Sequence, residues 1–236
     1  MSNPRATYLQ KKSPTLLCGG NRAHSYRLRY ARRQEQEVDD LRDGITSWFT
    51  DRPIRWKLYN TIQGFEMSTM ETIITKALNK WSAVSNLTFE KAAEGADRDD
   101  IELKIEVAGP DVLDPEFPAQ SDGSWIAANA SWGPGIASRW VPVEKTVYSG
   151  YVKFNNTSTG PNNWNVNQIH NVFLHEVGHA LGLGHTLTKD AIMARTMAGG
   201  GGNVDLDLKP EDIMRIQKYY NYQPTETRRA RRKRYM

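Results

Sequence analysis

The sequence predicts an α+β fold, and three observations carry that prediction. Segments that alternate apolar and polar residues, as half-buried strands do, recur between residues 54 and 154. One helical pattern interrupts these strands, and a second follows the last of them. The chain after that is mostly irregular, with one more short helical pattern from residue 210. Such segregation of strands from helices, without an internal repeat, is typical of α+β domains.

The first two regular elements are a strand and a helix. The run Ile54–Tyr59 alternates apolar and polar residues. Between Met67 and Trp81, apolar residues recur at three- and four-residue spacing, which predicts an amphipathic helix. Ser68 or Thr69 is the expected cap of its first turn, because a hydroxyl accepts hydrogen bonds from the free N–H groups there.

Four further strands are predicted after this helix. The runs Leu87–Glu90 and Ile101–Val107 precede a long loop, Gly109–Gly123, that is rich in Pro and Asp. The runs Trp125–Ala130 and Gly150–Phe154 come after that loop. Short apolar runs bounded by turn-forming residues are typical of strands.

Two helices are predicted in the C-terminal part. Asn165 and Gln168 have the spacing of a capping box, and the helix that they open carries residues 175 and 179. Pro210 followed by Glu211 and Asp212 predicts the start of the last helix, because proline and acidic residues are favoured in a first turn.

The most informative segment spans residues 175–185 and reads H-E-x-x-H-x-x-G-x-x-H. His175 and His179 lie four residues apart, about 40° around a helix, so both imidazoles project from one face. Gly182 can take the left-handed conformation that ends a helix and returns His185 to the same point. Three neutral imidazoles that bind Zn²⁺ leave a fourth position for water, as in catalytic sites. Glu176, rotated roughly 100° from His175, is placed to act on that water as a general base.

A methionine turn is predicted after the third histidine. Met193 follows His185 after a short loop. Together with the histidine motif, a later methionine turn forms the metzincin signature of zinc metallopeptidases. In that interpretation, Met193 forms an apolar floor beneath the three imidazoles.

The sequence resembles the catalytic domain of the matrix metalloproteinases, the matrixins, over roughly residues 51–222. Beyond the zinc motif, the similar segments are Lys80–Phe89, Ile101–Val107, Gly150–Asn155 and Pro210–Gln217. The resemblance implies a twisted, mostly parallel five-stranded sheet with an antiparallel edge strand, an active-site helix, a methionine turn and a C-terminal helix. It also implies a cleft in which extended peptide substrates pair with the edge strand, which would be residues 125–130.

One departure from the family concerns a second metal ion. Matrixins usually hold a structural zinc ion with three further histidines, whereas Asn129 and Lys153 stand where two of these are expected. His24 and His170 are the only histidines outside the motif, so a second three-histidine site is excluded. His170 lies about 140° around the helix from His175 and is expected to face solvent.

The resemblance also bears on calcium and on specificity. It implies that the protein binds Ca²⁺, for which the loop Asp111–Asp122 offers oxygen ligands, although no calcium motif is visible. Matrixins often carry Tyr-Pro after the turn methionine, whereas this chain has Ala194 and Arg195. The specificity pocket of the family therefore does not transfer directly.

Basic residues concentrate at both ends of the chain. The net charge is +4, yet residues 1–35 hold eight Lys or Arg and one acid, and residues 228–236 hold six and none. The body between them has a net charge of −9. The C-terminal run is compatible with contact to nucleic acid or polyanionic glycans, a nuclear address, a convertase site or a solvated disordered tail.

The single cysteine, Cys18, excludes an intrachain disulfide. The segment Leu16–Arg22 shares Cys-Gly and a nearby Arg with the inhibitory propeptide motif of matrixins, in which the thiolate fills the open zinc position. Cys18 is thereby a candidate inhibitory zinc ligand, with a candidate basic cleavage site after it at Arg29–Arg33. The alternative is a bystander thiol.

These patterns divide the chain into three parts. Residues 1–50 are expected to form a basic arm and short propeptide, residues 51–222 the zinc metallopeptidase domain, and residues 223–236 a basic disordered tail. No apolar run is long enough for a membrane helix, and the N-terminus lacks the apolar stretch of a secretory signal. The family resemblance nevertheless implies an extracellular protein, and we expect a monomer.

The predicted function is a zinc-dependent metalloendopeptidase that hydrolyses protein substrates through a zinc-bound water and the Glu176 general base. Two alternatives belong to other classes. One is an inactive metzincin fold that binds nucleic acid or polyanions through its basic ends, against which the intact Glu176 argues. The other is a metal-dependent hydrolase of non-peptide substrates, against which the expected edge strand argues weakly.

Overall fold

A mixed sheet with helices packed on it forms the domain. The computed structural model describes residues 16–18, 47–110, 114–121, 125–136, 148–161, 163–197 and 204–222. Its strands are β1 (Leu16–Cys18), β2 (Ile54–Leu58), β3 (Phe89–Lys91), β4 (Leu103–Ala108), β5 (Trp125–Ala130), β6 (Gly135–Ile136), β7 (Tyr148–Asn155) and β8 (Thr196–Met197). Its α-helices are α1 (Met67–Ala83), α2 (Val166–Ala180) and α3 (Pro210–Tyr219). The predicted candidate cleavage site Arg29–Arg33 and the basic tail lie outside the described residues.

The central sheet has the predicted five strands, in the order β3-β2-β4-β7-β5. Neighbouring strands from β3 to β7 are parallel, and β5 runs antiparallel to β7. Burial alternates along β2 and along most of β4, as their alternating sequences require. The prediction of a mostly parallel five-stranded sheet with an antiparallel fifth strand is confirmed. The short strand β6 pairs separately with β7.

The outer edge of β5 is covered by a segment from the N-terminal region. β1 pairs with β5 in parallel, and β8 pairs antiparallel with the other side of β1. The strand that lies at the edge of the five-stranded sheet is therefore bounded by β1, with β8 beyond it. β5 and β8 consequently form the two sides of a slot that holds one extended chain.

The core lies between the sheet and the two long helices. Trp81 on α1 is fully buried, and its indole N–H donates to the carbonyl of Leu174 on α2 at 3.0 Å. Phe173 of α2 stacks on Phe154 of β7 with ring centroids 6.1 Å apart. Burying side chains of this size contributes roughly 1.5–3 kcal/mol each to stability. These contacts fix α2 against the sheet, and α2 carries the first two histidines of the motif.

The predicted cap of α1 is wrong. The structure places the N-cap at Glu66, with no side-chain capping bond, so neither Ser68 nor Thr69 has that role. Both of these residues lie inside the first turn, where the Ser68 carbonyl instead accepts a hydrogen bond from the Thr72 hydroxyl at 2.8 Å. The buried stripe of α1 supplies the stability that a cap would otherwise add.

The prediction that His170 faces solvent is also wrong, since His170 is only 2% exposed. Segment 204–208 covers this side of α2. The Asp205 carboxylate lies 3.0 Å from the Nδ1 atom of His170, and the Asn171 amide bonds the backbone of Val204 and Leu206 on either side. Helix periodicity contains no information about a distant segment, such as residues 204–208, that packs on that face.

Trp48, which the sequence places in the N-terminal arm, packs in the same core. Its indole N–H donates to the carbonyl of Ala180 at 2.7 Å, at the end of α2. The Tyr220 hydroxyl, just after α3, donates to the carbonyl of Leu181 at 2.8 Å. The beginning and the end of the packed chain therefore meet where α2 turns toward the third histidine. Within the described residues, no helix combines the length and apolar character needed to cross a bilayer.

Candidate metal centre

The first two histidines of the motif are positioned by α2 and oriented by backbone carbonyls. The helix opens with the predicted capping box, in which Asn165 and Gln168 each bond the other's backbone N–H. The Nδ1 atom of His175 lies 2.6 Å from the carbonyl oxygen of Ile192. A carbonyl only accepts hydrogen bonds, so Nδ1 carries the proton and the Nε2 lone pair is left for a metal ion.

His179 is oriented in the same way, by a carbonyl beyond the helix end. Its Nδ1 atom lies 2.7 Å from the carbonyl oxygen of Leu183. Gly182, between these two residues, has a φ of +102°, in the left-handed region that the sequence predicted. A Cβ atom there would lie 2.8 Å from the Tyr219 ring, so glycine is required by space as well as by conformation. This turn brings His185 back toward the helix.

The three imidazoles converge as zinc ligands do. The Nε2 atoms of His179 and His185 lie 3.2 Å apart, and one ligand atom from each of the three histidines falls within 4.8 Å of the others. Two nitrogens at about 2.0–2.1 Å from Zn²⁺ in tetrahedral geometry lie roughly 3.3 Å apart. The Nε2 atom of His175 is buried and makes no hydrogen bond within the described chain. The donor set therefore fits one zinc ion.

All three imidazoles are held in the neutral form that metal binding requires. Burial lowers the pKa of His175 and lowers that of His179 well below the usual value. For His185, burial, followed by the charges of His175, Arg195 and Arg215, lowers the pKa to about 3. A protonated imidazole cannot bind a metal ion, so these shifts keep the ligands available across the neutral range.

Glu176 is the carboxylate next to this cluster. It follows His175 in α2, and its residue is only 2% exposed. The structure thus brings together the three predicted histidines, His175, His179 and His185, and Glu176 is buried in α2 next to the first of them.

The predicted methionine turn packs directly against α2. Met193 is fully buried, and a Cβ atom on Gly178 would lie only 2.2 Å from its sulfur atom. The turn is held by Asp212 of α3, whose carboxylate accepts hydrogen bonds from the backbone N–H groups of Ile192 and Met193 at 2.9 and 3.0 Å. Because Ile192 also holds His175, this aspartate indirectly orients a candidate ligand.

Two residues near the cluster were missed from the sequence. Asp212 was assigned only to the first turn of its helix, and nothing in the local pattern shows that its carboxylate reaches residues 192 and 193. Trp132 stacks on the imidazole of His179 with ring centroids 5.9 Å apart. An aromatic residue two positions after a predicted edge strand was the available signal, but a single tryptophan in a loop is not specific.

The comparison with protein families decides the assignment. Residues 47–221, about three quarters of the chain, match the family model described as Matrixin. This chain belongs to the matrixin family. Membership supports a metalloprotease at the level of the family and implies the zinc ion that the three histidines fit.

Individual matrixins are similar at low identity. The chain is 28% identical to interstitial collagenase of Sus scrofa over 167 residues, which cover 71% of this chain and 31% of the relative. It is 26% identical to stromelysin-2 of Rattus norvegicus, over 73% of this chain and 33% of the relative. It is 24% identical to matrilysin of Homo sapiens, over 73% of this chain and 58% of the relative. The chain thus spans about a third of the length of the first relatives that it matches.

Asn129 and Lys153, the two residues at which the resemblance leads us to expect histidines of a second zinc site, belong to a polar cluster. Asn129 of β5 and Lys153 of β7 are direct partners in the sheet. The Lys153 ammonium contacts the Asp114 carboxylate at 2.5 Å and the Glu116 carboxylate at 3.6 Å. The Asn129 amide donates to the Glu116 carbonyl at 3.2 Å. An ammonium group does not ligate zinc and an amide is not among its usual ligands, so Asn129 and Lys153 do not replace the two expected histidines.

The candidate inhibitory residue, Cys18, lies at the end of β1. Its backbone pairs with Ala128 of β5, after a shift in register at Leu17. The structure therefore brings the backbone around this cysteine into the slot between β5 and β8, and β8 begins three residues after Met193.

Proposed function

We propose that this matrixin is a zinc-dependent metalloendopeptidase, with His175, His179 and His185 as the zinc ligands and Glu176 as the general base. One observation carries the proposal: three buried, neutral imidazoles converge, two of them with Nδ1 bonded to a carbonyl. In metal sites, the ring nitrogen of a ligand histidine that does not face the metal typically donates a hydrogen bond to a carbonyl or carboxylate, which orients the ring. A catalytic site also needs a nearby base, and Glu176 adjoins the first ligand in sequence.

The chemistry follows from the identity of these groups. When bound, Zn²⁺ supplies a Lewis acid that lowers the pKa of a water molecule and stabilises negative charge on a carbonyl oxygen. Glu176 takes a proton from the water molecule as the water oxygen attacks the peptide carbonyl carbon. The carbon–nitrogen bond then breaks, and Glu176 passes the proton to the leaving nitrogen. Met193 and Asp212 act only by holding the ligands in place.

The proposed substrates are extended segments of proteins. β5 offers its outer edge to an extended chain, and the pairing of β1 with that edge supports this use. Backbone hydrogen bonds of this kind bind a peptide largely independently of its sequence. A hydrolase of small non-peptide substrates does not need such an edge, so this observation favours peptide bonds as the target.

We also propose that Cys18 inhibits the enzyme as long as β1 stays in the cleft. Its thiolate would replace the water that Glu176 needs, because thiolates are strong zinc ligands. The pairing of β1 between β5 and β8 supports this role. In this proposal residues 1–50 include the inhibitory arm and residues 51–222 the catalytic domain.

The latch is tested on the full-length chain. Wild type should be nearly inactive, a thiol-modifying mercurial should activate it, and Cys18→Ser should be active from the start, because a hydroxyl is a much poorer zinc ligand than a thiolate. Equal activity of wild type and Cys18→Ser would leave Cys18 as a bystander thiol.

Four finer assignments complete the proposal. The protein acts in the extracellular space, as the family resemblance implies, and it acts as a monomer. The basic tail at residues 223–236 contacts polyanions through charge, so retention on a heparin column should fall with added salt and with removal of the tail. Calcium binding at residues 111–122 stays a prediction from the resemblance.

The proposed activity is tested by digestion of an internally quenched peptide library with purified Cys18→Ser. We expect endoproteolytic cleavage that a chelator abolishes and that one equivalent of zinc restores. Cleavage that survives removal of zinc, or no cleavage by a zinc-loaded protein, would contradict the proposal. In the second case, the inactive binding fold would become the better account.

A further inference from the structure

Trp132 covers one face of a candidate zinc ligand. The planes of its indole and of the His179 imidazole are parallel to within 4°, with centroids 5.9 Å apart. The other two ring contacts of His179 are edge-on, at 4.8 Å from His175 and 4.6 Å from His185. Trp132 is thus the flat surface against which this imidazole lies, in the offset parallel geometry that aromatic pairs favour.

The stacking contact restrains a motion that the hydrogen bond of His179 leaves free. The bond from Nδ1 to the Leu183 carbonyl lies in the plane of the imidazole and fixes the ring position along that plane. The ring can still rock about the line that joins the two atoms. A parallel surface on one face opposes that rocking, because tilting would separate or overlap the two rings. The two contacts together set the direction of the Nε2 lone pair.

The neighbouring residue holds the backbone of the same histidine. The N–H group of Gly133 donates to the His179 carbonyl at 2.9 Å. Gly133 has a φ of +68°, in the left-handed region that favours glycine. Trp132 and Gly133 therefore fix both the ring and the main chain of His179.

Only Ser131 lies between the end of β5 and Trp132, and Ser131 is itself hydrogen-bonded to the sheet. β5 ends at Ala130, and Ser131 is bonded to Tyr151 of β7 through its N–H group and its hydroxyl, both at 3.0 Å. The path from the strand to His179 is consequently bonded at each step. A shift of β5 relative to the histidine would have to break one of these contacts.

We propose that Trp132 and Gly133 are positioning residues that hold His179, and with it the metal ion, at a fixed distance from the end of β5. This inference rests on the proposed peptidase function for its consequence. A substrate paired with β5 then presents its scissile bond in register with the metal. Trp132 acts on His179 through the face of its indole ring, since its indole N–H is buried and makes no hydrogen bond within the described chain.

The variants Trp132→Leu and Trp132→Phe separate the flat face from simple space filling. Both are made in full-length Cys18→Ser. Loss of a group that orients a ligand typically weakens metal affinity 10- to 100-fold, so we expect a loss of that order for Trp132→Leu in chelator competition, measured without substrate. Trp132→Phe keeps a flat face and should stay within about threefold. Trp132→Met, which is also apolar but not flat, replaces the leucine variant if that one does not fold.

Trp164 provides a matched control elsewhere in the core. It is also a half-buried tryptophan with a buried, unbonded indole N–H, but it packs edge-on against Phe154. Trp164→Leu should lower the melting temperatures of the zinc-free and zinc-loaded proteins equally and leave zinc affinity unchanged. Equal losses of zinc affinity for the leucine variants at 132 and 164, or for leucine and phenylalanine at 132, would overturn the proposal.

The kinetic readout tests the consequence for substrates. On peptides long enough to pair with β5, Trp132→Leu loaded fully with zinc should show a lower kcat at a similar KM, because misplacement of the metal affects the reaction more than backbone pairing. A rise in KM at unchanged kcat would contradict the register role. If Cys18→Ser binds zinc but cleaves no peptide, the proposed function fails, whereas the zinc affinities of the Trp132 variants still decide the orienting role.

Discussion

At the scale of single residues, two of the proposed zinc ligands depend on partners from several segments of the chain. The carbonyl of Ile192 orients His175, and the backbone N–H of Ile192 is itself held by Asp212. His179 lies between the Leu183 carbonyl and the face of Trp132. These two imidazoles are thus oriented because several segments of the chain converge on them.

The buried histidines give the zinc-free protein a defined dependence on pH. Their pKa values are lower in the folded protein than in the unfolded chain, where the pKa of histidine is about 6.5. Below that pH the unfolded chain binds more protons, so stability is complete above pH about 6.5 and falls as the pH drops toward the His185 value of about 3.

We therefore expect the melting temperature of zinc-free protein to be flat above neutrality and to decline steadily below pH about 6.5. Zinc-loaded protein should resist this decline until protons displace the metal. His185→Gln, measured in the zinc-free form, serves as the control and should show a shallower decline. A melting temperature that rises on acidification would contradict the assignment of buried neutral imidazoles.

At the scale of secondary-structure elements, the sequence was most informative where the signal is local. The capping box at Asn165 and the stripe of apolar residues in α1 predicted two helices that the structure contains. The cap of α1 and the exposure of His170 were mispredicted. Tertiary packing decided both: a buried face stabilises α1 without a cap, and segment 204–208 covers His170.

The loop before β5 offers a test at this scale. Lys153 is 22% exposed and its partner Asp114 is 9% exposed, so the pair is largely removed from water. Lys153→Met would leave the carboxylates of Asp114 and Glu116 without their cation. We expect a loss of about 1–3 kcal/mol in the free energy of unfolding, measured by urea denaturation.

The ion pair between Lys91 and Glu71 is a suitable comparison, because Lys91 is 52% exposed. Lys91→Met should cost less than about 1 kcal/mol, as exposed pairs usually do. Similar losses for the two variants would show that the Lys153 ammonium does not specifically anchor this loop. Zinc added beyond one equivalent should not raise the free energy of unfolding of either variant, because the Lys153 region does not form a second zinc site.

At the scale of the whole molecule, the two ends of the packed domain meet at the end of α2, next to the candidate metal centre. Trp48 and Tyr220 both form hydrogen bonds with carbonyls at the C-terminal end of α2. The backbone N–H group of Trp48 also lies 3.4 Å from the Tyr220 hydroxyl oxygen. This contact joins residues 172 positions apart in sequence. Periodicity and spacing contain no information about such a pairing, and for this reason the sequence placed Trp48 in the arm.

Removal of residues 224–236 should leave the catalytic domain intact. The segment has no apolar periodicity with which to pack, whereas Tyr220 is buried. We expect turnover of a short neutral peptide by Cys18→Ser to stay within about threefold after this truncation. A longer truncation that also removes Tyr220 should unfold the protein. Loss of folding with the shorter truncation would assign the tail to the domain.

The central claim is that three histidines bind zinc while Glu176 acts as the general base on the water molecule. It is tested most directly by measuring zinc content and peptide hydrolysis of Glu176→Ala and His179→Ala, both made in Cys18→Ser. Glu176→Ala should retain about one zinc ion per chain and lose hydrolysis, because only the base is removed. His179→Ala should lose the metal, since two imidazoles bind zinc far more weakly than three. Loss of zinc from Glu176→Ala, or hydrolysis that persists in it, would contradict the account.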